Sequence, residues 1–152
     1  MIAQEIQEHL LENQAHFLIP ADKVAHVMDQ NPLSHALLVL SKVKYSRIPV
    51  LDKEDRLVGL IGLSDVVDEM LALTEISTDG LDHKCVRDVM DADVFSVTNP
   101  EDIEYLLHAS VDHSFIPVTD EDEHFLGIVT RRTILKAVNH LLHTCETLSK
   151  TV

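Results

Sequence analysis

Basic residues are scarce in this chain of 152 residues, which has 12 Lys and Arg against 26 Asp and Glu and a formal net charge of −14. Binding to nucleic-acid backbones depends on basic side chains that neutralise phosphates. The composition therefore argues against a polymeric nucleic acid as partner. It also makes any local cluster of basic residues more informative.

Cysteines and long apolar runs are also few. Cys85 and Cys145 stand far apart, in no zinc-ligand spacing, which favours a reducing compartment and a packing role for both. No apolar run reaches the roughly 18 residues that a membrane span needs, and the acidic N-terminus has no signal-peptide pattern. We therefore expect a cytoplasmic protein with no membrane contact, and 45% hydrophobic residues are enough to bury a core.

The chain contains an internal repeat. Equivalent residues stand 68 positions apart at a helix start, in an Ile-Pro-Val segment and at the start of an apolar strand: Pro32 and Pro100, Pro49 and Pro117, Gly59 and Gly127. Repeats of one supersecondary unit bury their apolar faces against each other, so the repeat decides the architecture. Each copy predicts the order strand, helix, strand, turn, strand, helix.

The pattern places similar elements in both copies. In the first copy we expect a strand at 23–27, a helix with Pro32 in its first turn, strands at 47–51 and 57–62, and a helix at 64–73. In the second copy we expect a strand at 94–97, a helix with Pro100 in its first turn, a hairpin turning at 120–124, and a helix at 131–143. Residues 2–16 predict an amphipathic helix with Ile6, Leu10 and Leu11 facing inward.

Strands this rich in Val, Ile and Leu are typical of a sheet covered by helices, so neither copy hides its apolar face alone. The sequence predicts an α/β fold in which the two copies pack with pseudo-twofold symmetry and leave two clefts.

The residues resemble the tandem cystathionine-β-synthase (CBS) domain pair, or Bateman module, through the pattern apolar-Pro-Val-x-Asp, acidic turn, Gly and apolar strand. The segments 21–27, 35–52, 57–62 and 127–132 are similar to small stand-alone CBS-pair proteins of Gram-positive bacteria that bind cyclic di-AMP. The resemblance implies an N-terminal helix at 1–16, a first CBS motif at 17–73, a linker at 74–84, a second motif at 85–146 and a tail at 147–152.

In CBS pairs each cleft combines residues of both copies. The resemblance assigns ligand binding in the first cleft to these residues: Lys23, Ala25, Tyr45, Ser46, Arg47, Ile48, Thr130, Arg131 and Arg132. Arg131 and Arg132 stand at a helix N-terminus, where cations are unfavourable for the helix and phosphate is favourable. Guanidinium groups match phosphate geometry, while Tyr45 offers a ring for a purine. The alternative is that both arginines are solvated and paired with nearby acids.

The second cleft departs from the pattern of nucleotide binders. It would combine Phe95 and 113–116 with 62–65, and it keeps Asp65 but has Gly62 at the Ser/Thr position and no base at its helix start. Thr133 replaces the equivalent Asp in the first cleft, which suits a cyclic dinucleotide because its 3′-oxygens are esterified. We expect the second cleft to be empty or weak.

Catalytic and metal motifs are not evident. His140 and His143 share a helix face without a third ligand, and the acidic run 120–123 lacks the ligand spacing of a calcium loop. No nucleophile elbow, triad or P-loop occurs. We expect neither an enzyme nor a metal site, and no cofactor.

These expectations converge on a non-enzymatic, cytoplasmic receptor that binds cyclic di-AMP and controls a partner protein. The resemblance implies a homodimer and names the stringent-response Rel enzyme as a possible partner. Two alternatives stay open: a CBS pair that senses AMP, ADP or ATP, and a dimerisation module without a ligand.

Overall fold

The computed structural model describes residues 2–12, 17–71 and 78–149, with the side chains of 145–149 excepted. Its residues group into two compact units. Unit 1 comprises Met1–Ala21, Ser96–Val118 and Leu126–Val152, and unit 2 comprises Asp22–Phe95 and Thr119–Phe125.

The predicted α/β class and N-terminal helix are confirmed. The helices are α1 Gln4–Leu11, α2 Leu33–Lys42, α3 Leu63–Met70, α4 Ile103–Asp112 and α5 Arg131–Ser149. The strands are β1 Leu18–Pro20, β2 Val27–Met28, β3 Arg47–Leu51, β4 Leu57–Gly62, β5 Phe115–Thr119 and β6 Phe125–Thr130. Short 3₁₀ turns occupy Ala21–Lys23 and Val86–Asp88.

The sheet of unit 2 has the order β2-β3-β4, with β2 parallel to β3 and β4 antiparallel to it. Strands β3 and β4 have the bounds that the hairpin pattern predicts. Buried side chains of the sheet pack with those of α2 and α3, among them Ile48, Ile61, Leu33 and Val66. Strand β4 therefore leads from the hairpin turn directly to the N-terminus of α3.

The hairpin turns of the two repeats have the same backbone conformation. Asp55 and Glu123, which are equivalent in the repeat, have φ values of 61° and 69° in the left-handed region. The turn residues Thr119–Phe125 belong to unit 2, where the N–H of Leu57 donates to the carbonyl of Glu123 at 2.9 Å. The second repeat thus contributes part of unit 2.

In unit 1 the strand order is β1-β6-β5, and β1 pairs antiparallel with β6. Strand β1 precedes the rest of the first repeat in sequence, so the first repeat contributes part of unit 1. Helices α1, α4 and α5 pack together in this unit, with Leu10, Leu106 and Ile134 buried. Of the three residues predicted to face inward on α1, only Leu10 is fully buried, while Ile6 is 36% exposed.

The prediction of a first strand in each copy is largely wrong. Residues 21–23 form a 3₁₀ turn, so the ladder of the first copy is limited to β2, and in the second copy only Val97 makes a bridge, to Val118. Val24 and Val27 are both buried. Their spacing of three does not match the alternation of a strand.

The prediction that a proline occupies the first helical turn is one residue off for Pro32, which is the N-cap of α2, and wrong for Pro100. Pro32 precedes α2 in an extended conformation, and the carbonyls of Lys84 and Leu81 accept the N–H groups of Leu33 and Ser34. In the second copy α4 begins three residues after Pro100, because the Asp102 side chain accepts the N–H of Tyr105 at 3.1 Å and caps the helix.

Helix ends differ from the sequence predictions in length. Helix α3 ends at Met70, and the predicted continuation to residue 73 lies partly outside the described residues. Helix α5 runs beyond the predicted residue 143 to Ser149. Helix α1 occupies 4–11 of the predicted 2–16, of which residues 13–16 lie outside the described part.

The second half of the predicted linker is a packed segment. Residues 72–77 lie outside the described residues, but Leu81 is buried in the core of unit 2 together with Val86. Within the described ranges, no helix combines the length and hydrophobicity that crossing a membrane requires.

Gly127 provides a test of the β1–β6 contact in unit 1. Its φ of +151° is one that residues with a side chain rarely adopt, and a Cβ there would overlap the carbonyl oxygen of Ile19 on β1. We expect Gly127→Ala to lower the free energy of unfolding by about 1–3 kcal/mol in urea denaturation. Gly80→Ala is the matched control, since no atom of the described residues lies within 4 Å of its Cβ position. Equal stability of the two variants would contradict the expected overlap.

Candidate functional site

Six of the nine predicted ligand-binding residues lie in unit 2. Lys23 ends the 3₁₀ turn at 21–23 and is exposed, and Ala25 follows it as a partly buried residue. Tyr45 and Ser46 lie between α2 and β3, and 47% of the Tyr45 side chain is exposed. A cation and an aromatic ring are thus both accessible in this unit.

The predicted role of Ile48 is restricted by its position. Its side chain is 1% exposed and belongs to the core of unit 2, opposite Ile61 in the β3–β4 ladder. Only its backbone is therefore available to a ligand.

Arg47 begins β3 opposite Gly62. Its Nη2 lies 3.5 Å from the Asp91 carboxylate, and both side chains are about two-fifths exposed. A pair this accessible contributes little to stability, since solvent screens it. The Asp91 carboxylate nevertheless orients the Arg47 guanidinium.

The other three predicted residues lie in unit 1, where β6 meets α5. Thr130 is buried, and its Oγ1 accepts the N–H of Thr133 at 3.2 Å and lies 2.8 Å from Thr133 Oγ1. This is the geometry of a helix N-cap. The Thr130 side chain therefore stabilises the start of α5 at the place where the arginines follow.

Arg131 is tied to the end of α4. Its Nε donates to the carbonyl of Ser110 at 2.6 Å and its Nη2 to that of Val111 at 3.3 Å, while its N–H donates to the carbonyl of Ser114. A cation at the C-terminal carbonyls of a helix is favourable. The interpretation that Arg131 is simply solvated is therefore wrong, because its guanidinium joins α4 to α5.

Arg132 differs from its neighbour. It is exposed, and within the described part of the chain no hydrogen bond or ion pair is recorded for its guanidinium. It stands at the second position of a 19-residue helix, where the helix dipole disfavours a cation. An anion bound here would relieve that disfavour.

The residues predicted for the second cleft show a local role for Asp65. Its Oδ2 accepts the N–H of Gly62 at 2.7 Å, which satisfies the backbone at the start of α3. Phe115 and Ile116 are buried in β5. In these positions the carboxylate supports a helix start, and the two apolar side chains fill space.

The acidic turn of the second hairpin gathers Asp120, Asp122 and His124, whose ligand atoms lie within 4.8 Å of one another. Partial desolvation acts to raise the pKa of Asp120, but hydrogen bonds from the N–H and ring of His124 outweigh it and lower the pKa below its ordinary value. Asp52 shows the same balance, with desolvation outweighed by hydrogen bonds from Arg56 and Glu54. These carboxylates therefore hold the two turns in shape.

Neither Asp91 as the partner of Arg47 nor the α4 carbonyls that bind Arg131 could be identified from sequence patterns. Asp91 lies in the second repeat, yet its N–H and carbonyl both pair with Leu60 of β4 at 2.9 Å. Backbone carbonyls carry no residue signature. The one expectation that points toward Asp91 is that the two repeats pack together, which allows a residue of the second repeat to pair with the first.

The chain is similar to known proteins along most of its length. The CBS domain family matches twice, over residues 18–72 and 86–140. The chain is 38% identical over 139 residues to cyclic di-AMP receptor B of Bacillus subtilis (strain 168), covering 91% of this chain and 95% of that protein.

Two solved structures are similar as well. CbpB of Listeria monocytogenes in complex with c-di-AMP is 46% identical with a TM-score of 0.79, over 87% of this chain and 98% of that one. CbpB of Streptococcus agalactiae is 32% identical with a TM-score of 0.82, over 93% of this chain and 89% of that one.

The two adjacent arginines should differ in their effect on stability. Arg131→Ala removes charged hydrogen bonds to two main-chain carbonyls, so we expect a loss of about 1–2 kcal/mol in the free energy of unfolding. Arg132→Ala removes an exposed side chain and should change it by less than about 0.5 kcal/mol. Urea denaturation measures both, and equal values would contradict the anchoring role of Arg131.

Proposed function

The chain belongs to the CBS-domain family, and we propose that it is a non-enzymatic receptor that binds cyclic di-AMP and regulates a partner protein. A relative that spans almost the whole chain carries the name of such a receptor, and a similar structure was solved with this ligand. Both support the same ligand for this chain.

The observation that carries the proposal is the exposed Arg132 guanidinium at the N-terminus of α5. Cyclic di-AMP has two phosphates, and a helix N-terminus with an available guanidinium suits one of them. Lys23 and Arg47 supply further positive charge from unit 2. In a chain with a net charge of −14, cations kept accessible in this way favour an anionic ligand.

Most of the remaining predicted residues suit the adenine base of the ligand. Tyr45 has the exposed ring that stacking on adenine requires, and the backbones of Ala25, Ser46 and Ile48 offer groups for its edge. Thr130 acts through α5, whose first turn it caps.

We further propose a cytoplasmic homodimer that acts through protein contacts, with the Rel enzyme as the candidate partner. On α5, Leu135 and Leu142 are 55% and 62% exposed and stand seven residues apart, which suits a helix contact. A ligand shifts binding to a partner only by its different affinity for the two forms.

Calorimetric titration tests the ligand. We expect cyclic di-AMP to bind the purified protein more tightly than AMP, ADP or ATP. Arg132→Ala should weaken binding by about 1–3 kcal/mol, or roughly 5- to 150-fold, because a charged hydrogen bond to phosphate is lost.

Lys53→Ala is the control for the charge change, since Lys53 is an exposed cation in the hairpin turn. It should bind cyclic di-AMP within about twofold of the wild type. Tighter binding of AMP or ATP, or equal binding by Arg132→Ala and the wild type, would overturn the proposal.

Capture of purified Rel on the immobilised protein tests the output. We expect cyclic di-AMP to change the amount captured, because the ligand favours one form of the receptor. Arg132→Ala should capture Rel independently of the ligand at concentrations that saturate only the wild type. Equal capture by the wild type with and without the ligand would exclude Rel as the regulated partner.

A further inference from the structure

Gly62 lies against two residues that we propose to bind the ligand. A Cβ at this position would be 2.9 Å from the carbonyl oxygen of Ser46 and 3.1 Å from Cγ of Arg47. The first distance is shorter than real Cβ contacts, and the atom concerned belongs to the backbone. Any side chain at position 62 would therefore displace the start of β3.

The backbone conformation does not explain this glycine. Its φ of −114° and ψ of 165° are accessible to every residue, so the requirement is one of space. Gly62 also has no side chain of its own with which to cap α3, whose start is supported by the Asp65 carboxylate at the N–H of Gly62. In the other repeat the equivalent residue, Thr130, uses its hydroxyl to cap α5.

The Arg47 side chain is positioned at two places. Its stem occupies the space beside Gly62, and its guanidinium pairs with Asp91. Arg47 faces Gly62 across the β3–β4 ladder, and its stem lies over the glycine. Its guanidinium lies 3.5 Å from Asp91, whose backbone is paired with Leu60. All four residues belong to unit 2.

We propose that Gly62 is a positioning residue for ligand binding, which acts by leaving room for the Ser46 carbonyl and the Arg47 stem. The inference rests on the proposed cyclic di-AMP function. Gly62 stands where nucleotide binders have Ser or Thr in the second cleft. Its role here is to position Ser46 and Arg47, which the sequence analysis assigns to the first cleft.

The test is a double-mutant cycle with cyclic di-AMP as the titrated ligand. Gly62→Ala should weaken binding about tenfold. Gly80→Ala, which has no neighbour near its Cβ position in the part of the chain that the structure describes, should bind as the wild type does. In the Arg47→Ala background the effect of Gly62→Ala should fall to about threefold or less, because one of the two displaced groups is gone.

The same cycle separates the two hypotheses. If the wild type does not bind cyclic di-AMP, the proposed function fails. If the wild type binds, but Gly62→Ala binds equally well or its loss is the same in the Arg47→Ala background, only the positioning role fails.

Thermal unfolding checks that each variant is folded. A measurement on the wild type keeps the inference testable if Gly62→Ala does not fold. In amide NMR spectra, cyclic di-AMP should shift the signal of Gly62 together with those of Ser46 and Arg47, and leave that of Gly80 in place. An unshifted Gly62 signal under saturating ligand would overturn the inference.

Discussion

The packing of the segment 81–91 in unit 2, through the buried side chains of Leu81 and Val86, is the interaction on which the candidate site depends. Leu81 and Val86 are part of its core, and the carbonyls of Leu81 and Lys84 satisfy the first N–H groups of α2. Asp91 then pairs with β4, which brings its carboxylate to Arg47. The end of the linker and the start of the second repeat thus complete the packing of the first repeat and orient one of its cations.

The two strand–helix junctions show how equivalent positions can serve different needs. Thr130 ends β6 and caps α5, and the next residue, Arg131, binds the carboxyl-terminal carbonyls of α4. Gly62 ends β4 and has no side chain, so that the start of β3 fits closely against it. One junction provides a stable helix with an accessible cation, and the other provides space. The repeat preserves the backbone, while the side chains diverge.

Local patterns explain what was predictable from the sequence. The bounds of β3 and β4 were predicted correctly because the Ile-Pro-Val-Leu run, the polar turn and the following apolar run all lie within 16 residues. The prediction of a first strand failed because its pairing depends on residues distant in sequence. The helix starts differ because the carbonyls of Lys84 and Leu81 accept the first N–H groups of α2, while the Asp102 side chain caps α4.

For the candidate site, the residue types were predictable and their partners were not. The adjacent arginines were evident, but only the structure distinguishes Arg131, which is bound to carbonyls some 20 residues earlier, from the exposed Arg132.

The contact between the two hairpin turns has a consequence for biosynthesis. The N–H of Leu57 is paired with Glu123, so unit 2 reaches its final structure only after most of the chain has left the ribosome. Until then the N–H of Leu57 is left to water as its hydrogen-bond partner.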